Sequence, residues 1–563
     1  MARTTRLSIA LAAILGAVLV APMPAAHAAG AANRAAGIGT KAALENPNCD
    51  PETGRVRIPA YLASVCVREW KDGGNNGGAT SQGVTKDSIR VVVYVAPDDV
   101  QLAGTGATNQ ATNSPGLIQD SMVDTQQIFE KYYETWGRDV QLEFFTRTGT
   151  DEASQRADAL AVAARKPFAV INSAGGSVFS TDIAARKIVV PFGAGSQKEN
   201  LAQQPYRYTG QDADLQAANV AAFLGKALAG RKAQWAGDAN LKSQTRKFGV
   251  IYQSSVVTGP EFDIDRFNAL LAKYKVPKPV ATVSYTAPAD SGQSSAQLQQ
   301  QVPTLAAKLK DAGATSVVLL VGSSVVGPLT NAATSLNWHP EWVMTGWAYQ
   351  ELSLWTSSTY ANHYDLDQWK NAFGMSWFAP YASGNAGAVT AQNVFTWYWG
   401  DNKGTTSSGA VPAIYFLYQG IHLAGPKLTP ESFRDGQFAQ PGSGGAFQDQ
   451  VTTQGNKVGD IGLGYPEYAL LGPKDFALVW WDPTAKGLGN ILGSEQTGNY
   501  QYLEGGKRYT LETWKPGEPK FFTSDPGNVV YFTAPPEGEA PKPYPCTGCP
   551  SQGGAGTPST VRA

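Results

Sequence analysis

Charge is scarce in this 563-residue chain: only 16% of the residues are Asp, Glu, Lys or Arg. The 45 basic residues, two of them Arg3 and Arg6 near the start, face 46 acidic ones, with no block of one sign. That balance lacks the electrostatic footprint of a polyanion binder, so no nucleic-acid partner is expected. Histidine is rarer still, at four residues. Beyond His27 these are His339, His363 and His422, and their spacing matches neither a catalytic triad nor a zinc site. There is no Gly-x-Ser-x-Gly elbow, and the adjacent acids Asp98 and Asp99 project differently and offer no acid/base pair by themselves. Catalysis, a metal and a cofactor are therefore not expected. Internal repeats are absent, and no run after the first 20 residues is apolar enough to cross a bilayer.

Cysteine is also sparse, at four: Cys49, Cys66, Cys546 and Cys549, all near the two ends of the chain. An even count in an exported chain favours disulfides, read here as Cys49–Cys66 and Cys546–Cys549 with cross-pairing as the rival. A redox or metal role for Cys-Thr-Gly-Cys is disfavoured, because no following helix lowers a thiol pKa and no second ligand cluster lies nearby. Export is expected from the start of the chain. Arg3 and Arg6, an apolar stretch at 7–20 and Ala26-His27-Ala28 have the form of a cleavable signal over residues 1–28, too short to span a bilayer and without a lipoprotein cysteine.

What the sequence has in quantity is alternation. Residues 29–82 read as an extension stapled by Cys49 and Cys66, with Gly73-Gly74-Asn75-Asn76-Gly77-Gly78 as a flexible linker. The apolar run at 89–95 reads as a strand buried on both faces. Ser114-Pro115 then opens a helix in which Ile118, Met122, Phe129, Tyr133 and Trp136 recur at core spacing. Strands are predicted at 140–145, 168–172 and 188–190, with helices at 151–164 and near Ser180. A second series has helices at 212–228, 259–274, 296–312 and 328–336 and strands at 248–252, 280–284, 317–321 and 342–344.

Strands alternating with helices imply parallel sheets with right-handed crossovers, and two series imply two similar doubly wound α/β lobes. Length alone sets a prior of about three or four compact units. Crossovers near Tyr208, Phe378 and Asp475 would give lobe 1 as 83–208 plus about 379–475 and lobe 2 as 209–378 plus about 476–533. Residues 373–378 read as the return to lobe 1, and 411–424 as a helix with a buried stripe. Strands at 477–482, 509–514 and 529–532 finish lobe 2, and 534–563 form a Pro/Gly-rich tail, disordered or appended.

GVTKDSIRVVVYVAP at 83–97, IYQSSVVTGPEF at 251–262, and AIYFLYQGIHLAG followed by LTPESF at 428–433 occur in an order that resembles the type 1 periplasmic binding proteins. The similarity covers about residues 83–532 and points to the branched-chain amino-acid branch that serves ABC importers, in a form like actinobacterial members with a cysteine-bearing N-terminal extension. It implies two lobes joined by a three-crossover hinge, a small-molecule ligand, an ABC importer permease as partner, an extracytoplasmic location and no cofactor.

In an open α/β layer the loops after strands face the ligand crevice. The resemblance places Ser173, Gly175, Gly176 and Ser177 in a loop whose hydroxyls and amides hold a ligand carboxylate at a helix N-terminus. It places Ala194 and Ser196 in a companion loop. Thr258 stands where the family often offers Tyr, and Ser323 and Ser324 fill a facing turn. Gly, Ser and Thr also populate ordinary turns, so each position has a purely structural reading. One departure stands out. Where amino-acid binders carry an acid for the ligand ammonium, this chain reads Met344-Thr345-Gly346-Trp347, with Glu351 only later. A buried ammonium without a counter-charge is costly, so an aromatic, neutral or carboxylate-only ligand against Trp347 is expected. The alternative to transport is a secreted or cell-surface adhesion or carbohydrate-binding protein using tryptophans at 338–399 as a stacking platform; a hydrolase ranks below both.

Overall fold

The computed structural model describes residues 34–60, 63–97, 115–208, 211–254, 262–286, 291–347, 350–358, 363–376, 380, 391–400, 410–441, 456–458, 468–470, 475–489, 495–530 and 541–552. The predicted signal, Thr258, Asp98, Asp99, Trp377 and Phe378 lie outside them.

The first sheet is built on β1 (Ser88–Val95), whose eight residues are almost wholly apolar because helices cover both faces. Val91, Val93 and Val95 enter one core with α1 (Pro115–Tyr132), while Val92 and Tyr94 enter another on the opposite face. β1 pairs in parallel with β2 (Asp139–Thr146) on one side and β3 (Ala169–Asn172) on the other. A bridge between Ala169 and Val189 continues the parallel order into the predicted strand at 188–190. α2 (Glu152–Ala164), N-capped by Asp151, and α3 (Ser177–Ala185) supply the connections. Ile118, Met122, Phe129, Tyr133 and Trp136 are all buried in the core, as their spacing predicts.

After α4 (Gln197–Gln203) and α5 (Ala213–Phe223), the chain builds a larger sheet from β4 (Phe248–Gln253), α6 (Ile264–Lys273), β5 (Ala281–Tyr285), α7 (Ser291–Asp311), β6 (Ser316–Leu320), α8 (Ser323–Ser335), β7 (Glu341–Met344) and β8 (Ala372–Ser376). β4 to β8 run parallel, in the spatial order β8-β7-β6-β4-β5. Side chains again alternate between two cores, Val318 and Leu320 on one face and Val317 and Leu319 on the other. The fold is thus two α/β units with parallel-rich sheets.

Several elements differ from the sequence reading. Residues 373–376 belong to an interior strand of the second unit, β8, flanked by β7 and by the long antiparallel β9 (Phe476–Leu488). Its short apolar run carries no mark of which sheet takes it. The first unit is completed by α9 (Ala391–Trp399), α10 (Ala410–Ala424) and α11 (Pro430–Ala439), whose Phe395, Tyr418 and Phe433 join the core around β1. Thr429 caps α11 through a capping box with Ser432, a polar start signal hidden among loop-forming residues. β10 (Glu495–Tyr502) pairs with β9 and was not anticipated, because its composition is polar. Residues 510–513 turn instead of continuing the strand, leaving only β11 (Arg508–Tyr509).

The glycine-rich run at 73–78, read as a linker, is fastened down. Buried Asn76 donates to the carbonyls of Lys86 and Trp136, and Arg138 donates to the carbonyls of Asn76 and Gly78. The disulfides are Cys49–Cys66 and Cys546–Cys549. Residues 541–552 of the tail lie against the first unit. Cys546 and Cys549 are buried in its core, and the Tyr544 backbone carbonyl accepts the Trp397 indole N–H at 2.8 Å. Among the described residues no helix is long and apolar enough to cross a membrane.

Candidate functional site

Helices that follow parallel strands begin at the carboxyl edge of the sheet, so the contacts of their first turns show what that edge faces. α4 follows the strand at 188–190, and α6 follows β4. The two meet at Asp214, in the first turn of α5. Its carboxylate accepts the Lys198 amide at 3.4 Å and pairs with the Arg266 guanidinium at 2.6 Å. Leu201 of α4 also packs on the core of the second unit. The carboxyl edges of both sheets are therefore brought to one place, and the predicted binding loops sit on those edges.

In the first unit, the turn Ser173–Gly176 folds back onto the end of β1. The amides of Ser173 and Ala174 both donate to the Tyr94 carbonyl at 2.9 Å. Gly175 and Gly176 have φ of 78° and 91°, and a Cβ at Gly176 would lie 2.3 Å from Gln155 Oε1, so this corner needs glycine. Asn172 donates its amide to the Gly176 carbonyl and to Ser180 Oγ. Its Oδ1 is buried with no hydrogen-bond donor among the described residues. α3 has no side-chain cap of its own; Gln155, from α2, accepts the Phe179 N–H at 3.2 Å. Beneath the turn, the buried carboxylate of Asp158 accepts the Tyr94 hydroxyl at 2.6 Å and the Thr148 amide and hydroxyl at 2.9 and 2.8 Å. Burial, reinforced by that carboxylate, pushes the Tyr94 hydroxyl pKa well up, keeping it a neutral donor.

The companion loop is committed locally. Ala194–Gly195 pairs in parallel with Gln211–Asp212, and the Ser196 side chain caps α4 in a capping box with Glu199. The ordinary N-cap reading of Ser196 accounts for its observed contacts.

In the second unit, Ser323 and Ser324 are the first residues of α8, which starts five residues earlier than predicted and carries Pro328 inside it as its sixth residue. Ser323 is buried and Ser324 half-buried. Trp347 follows adjacent β7, half-buried, its ring edge-on to Phe262 with centroids 5.5 Å apart. Its backbone N–H donates to Thr345 Oγ1 at 3.3 Å, and Thr345 donates to the Leu319 carbonyl at 2.5 Å. Gln350, which the sequence reading passed over, ties the two loops together. Its Oε1 accepts the Thr345 amide, and its NH2 donates to the carbonyls of Leu319 and Val321. Gln216 adds a 3.0 Å bond to the Thr345 carbonyl. No spacing rule marks a glutamine for this, since its partners are carbonyls distant in sequence. Glu351 is fully buried, where its charge helps raise the Tyr500 hydroxyl pKa, a shift due first to burial.

Among the described residues, the tryptophans read as a surface platform are buried or partly buried. Trp338, Trp342, Trp355, Trp369 and Trp399 are buried, and Trp347 and Trp397 are partly buried against cores. Burial of apolar area at helix–sheet contacts uses their faces.

No family model matches the chain. No curated protein matches it. Among solved structures it is similar to a periplasmic binding protein type 1 from Bordetella pertussis Tohama I, at 14% identity over 70% of this chain and 97% of that one, with a TM-score of 0.40. It is similar to a fatty acid ABC transporter substrate-binding protein from Thermomonospora curvata, at 13% identity over 79% and 98%, with a TM-score of 0.44. The leucine-, isoleucine-, valine-, threonine- and alanine-binding protein from Brucella ovis gives 12% identity over 77% and 98%, with a TM-score of 0.43. At such scores the fold class rests on the strand order and pairing described above, and the ligands named for those proteins say nothing about this one.

Proposed function

We propose that this is an exported solute-binding protein that captures a small molecule between its two α/β units and delivers it to an ABC importer or senses it. The observation that carries the reading is the meeting of both carboxyl sheet edges at Asp214, with the Ser173–Gly176 turn on one edge and Trp347 on the other. Ser173, Gly175, Gly176 and Ser177 would supply amides and hydroxyls from the first unit, and Ser323, Ser324 and Trp347 the opposing wall. Thr258 and Ala194 remain candidates, and Ser196 acts through the start of α4. Trp347 and the absence of an acid in the turn 345–347 favour an aromatic, neutral or carboxylate-only ligand over a branched-chain amino acid.

Native mass spectrometry of protein purified without denaturation would identify a retained ligand. Calorimetry with that ligand should then show Trp347→Ala weakening binding by about 1–3 kcal/mol, the scale of a lost aromatic contact. Leucine, isoleucine and valine should give no binding. Micromolar affinity for any of them would mean that another group, with Glu351 and Asp99 the first to test, meets the ammonium.

A further inference from the structure

We propose that the second unit carries a separate site on its flank for an uncharged, polyhydroxylated molecule of one or two sugar rings. A cavity of about 560 Å³ opens between the β9–β10 pair and residues 356–358 and 363–366. This volume is within the range of small-molecule clefts. It is not the interlobe site. Asn331, on its wall, lies in the third turn of α8, and Asp365 and Leu366 precede β8, so the cavity is set back from the carboxyl sheet edge toward the amino edge. It is shaped by the irregularity of β9, whose pairing with β10 shifts register between Asp482 and Lys486 and thrusts Pro483 outward.

The lining selects a neutral ligand. No lysine or arginine is among the described residues around it, and the one basic side chain is the exposed imidazole of His363, so an anion meets no permanent counter-charge. The single carboxylate, Asp365, is already engaged: one oxygen accepts the Thr334 hydroxyl at 2.7 Å and the other the Asp367 amide at 2.9 Å. Around it, exposed Asn331, Ser358 and Thr497 present an amide and two hydroxyls, groups that both donate and accept. Leu366, 43% exposed, and Pro483 offer apolar surface beside them, as the C–H face of a sugar ring requires. The floor is firm, because Trp481 is buried there against Tyr500, with its indole N–H lacking an acceptor among the described residues.

The test is saturation-transfer NMR on the full chain with maltose, cellobiose and chitobiose as probes. Transfer from at least one is expected, lost by about ten-fold or more in affinity when Thr497→Trp fills the mouth, and weakened by Asn331→Leu. Trp347→Ala should leave it unchanged, which separates this site from the interlobe reading. No transfer from any of the three, or transfer that survives both rim variants, would overturn the proposal. So would transfer abolished by Trp347→Ala.

Discussion

His422 shows what one buried side chain can impose. Its Nδ1 accepts the Glu134 amide at 2.8 Å, so its Nε2 carries the proton and donates to the Val65 carbonyl at 3.1 Å. Burial lowers its pKa from 6.5 to about 4. Between those values the unfolded chain binds a proton that the folded chain refuses, so stability is intact above pH 6.5 and falls as pH drops toward 4, by about 3 kcal/mol. Neighbouring Glu134 shifts the other way, its pKa raised by burial, so the His422 contribution is best read as a difference. Denaturant titrations from pH 7.5 to 4 should show wild type losing about 3 kcal/mol more than His422→Gln, which can keep both hydrogen bonds without titrating. Equal slopes would refute the assignment.

Arg246 and Glu341 make a second residue-scale case. Both side chains are fully buried and bidentately paired at 2.7 and 2.9 Å, with Ser316 donating to Glu341 at 2.6 Å and Glu518 pairing with Arg246 at 2.6 Å. Ser316 and Glu341 open β6 and β7, which places this network at the amino edge, opposite the candidate site. Arg246→Met would strand a buried carboxylate, and urea denaturation should show a loss of about 3–5 kcal/mol with ligand affinity unchanged.

At the scale of elements, β8 depends on Gly374. It has φ of 150°, and a Cβ there would lie 2.0 Å from the Met344 carbonyl oxygen on β7. The close approach lets β8 continue the parallel ladder while presenting its other edge to antiparallel β9. Gly374→Ala must push β7 and β8 apart, and a loss of about 2–3 kcal/mol is expected by thermal or chemical denaturation, with any loss of ligand binding arising through the displaced Trp347 loop. A neutral substitution would mean that the strand pair is more compliant than this contact implies.

For the whole molecule, the described segments 34–60 and 541–552 both pack on the first unit. Lys542 pairs with Asp50 and Glu52, and Tyr544 donates to Asp50, so the tail closes over the N-terminal extension. Burial is the largest single influence on the Asp50 carboxyl and pushes its pKa up, but the hydrogen bonds from Lys542, Tyr544, the Glu52 amide and Thr53 together hold it well down. The extension reaches the end of α1 through Asn46–Glu134 and Asn48–Lys131, next to the start of β2 and thus at the amino edge. Replacing Cys49 and Cys66 by Ala opens a loop of separation 17 and should cost about 3 kcal/mol in denaturation while leaving ligand affinity intact. A matching loss of affinity would place the extension in the binding mechanism.

Elements whose burial is uniform or strictly periodic are legible in the residue order alone. β1 and β6 read as continuous apolar runs, and α1 shows its core stripe, because helices covering both sheet faces or one helix face leave a local composition signal. The pairing of cysteines close in sequence was legible for a similar reason, since short loops close easily. Long-range contacts alone make polar β10 a strand, set β8 between β7 and antiparallel β9, anchor the glycine run at 73–78, and let Gln350, Asp214 and Gln155 hold the candidate loops. Each of those outcomes rests on hydrogen bonds or packing to residues far along the chain. Such partners leave no mark in local composition, since a buried amide meeting a distant carbonyl reads in sequence like any surface glutamine or asparagine.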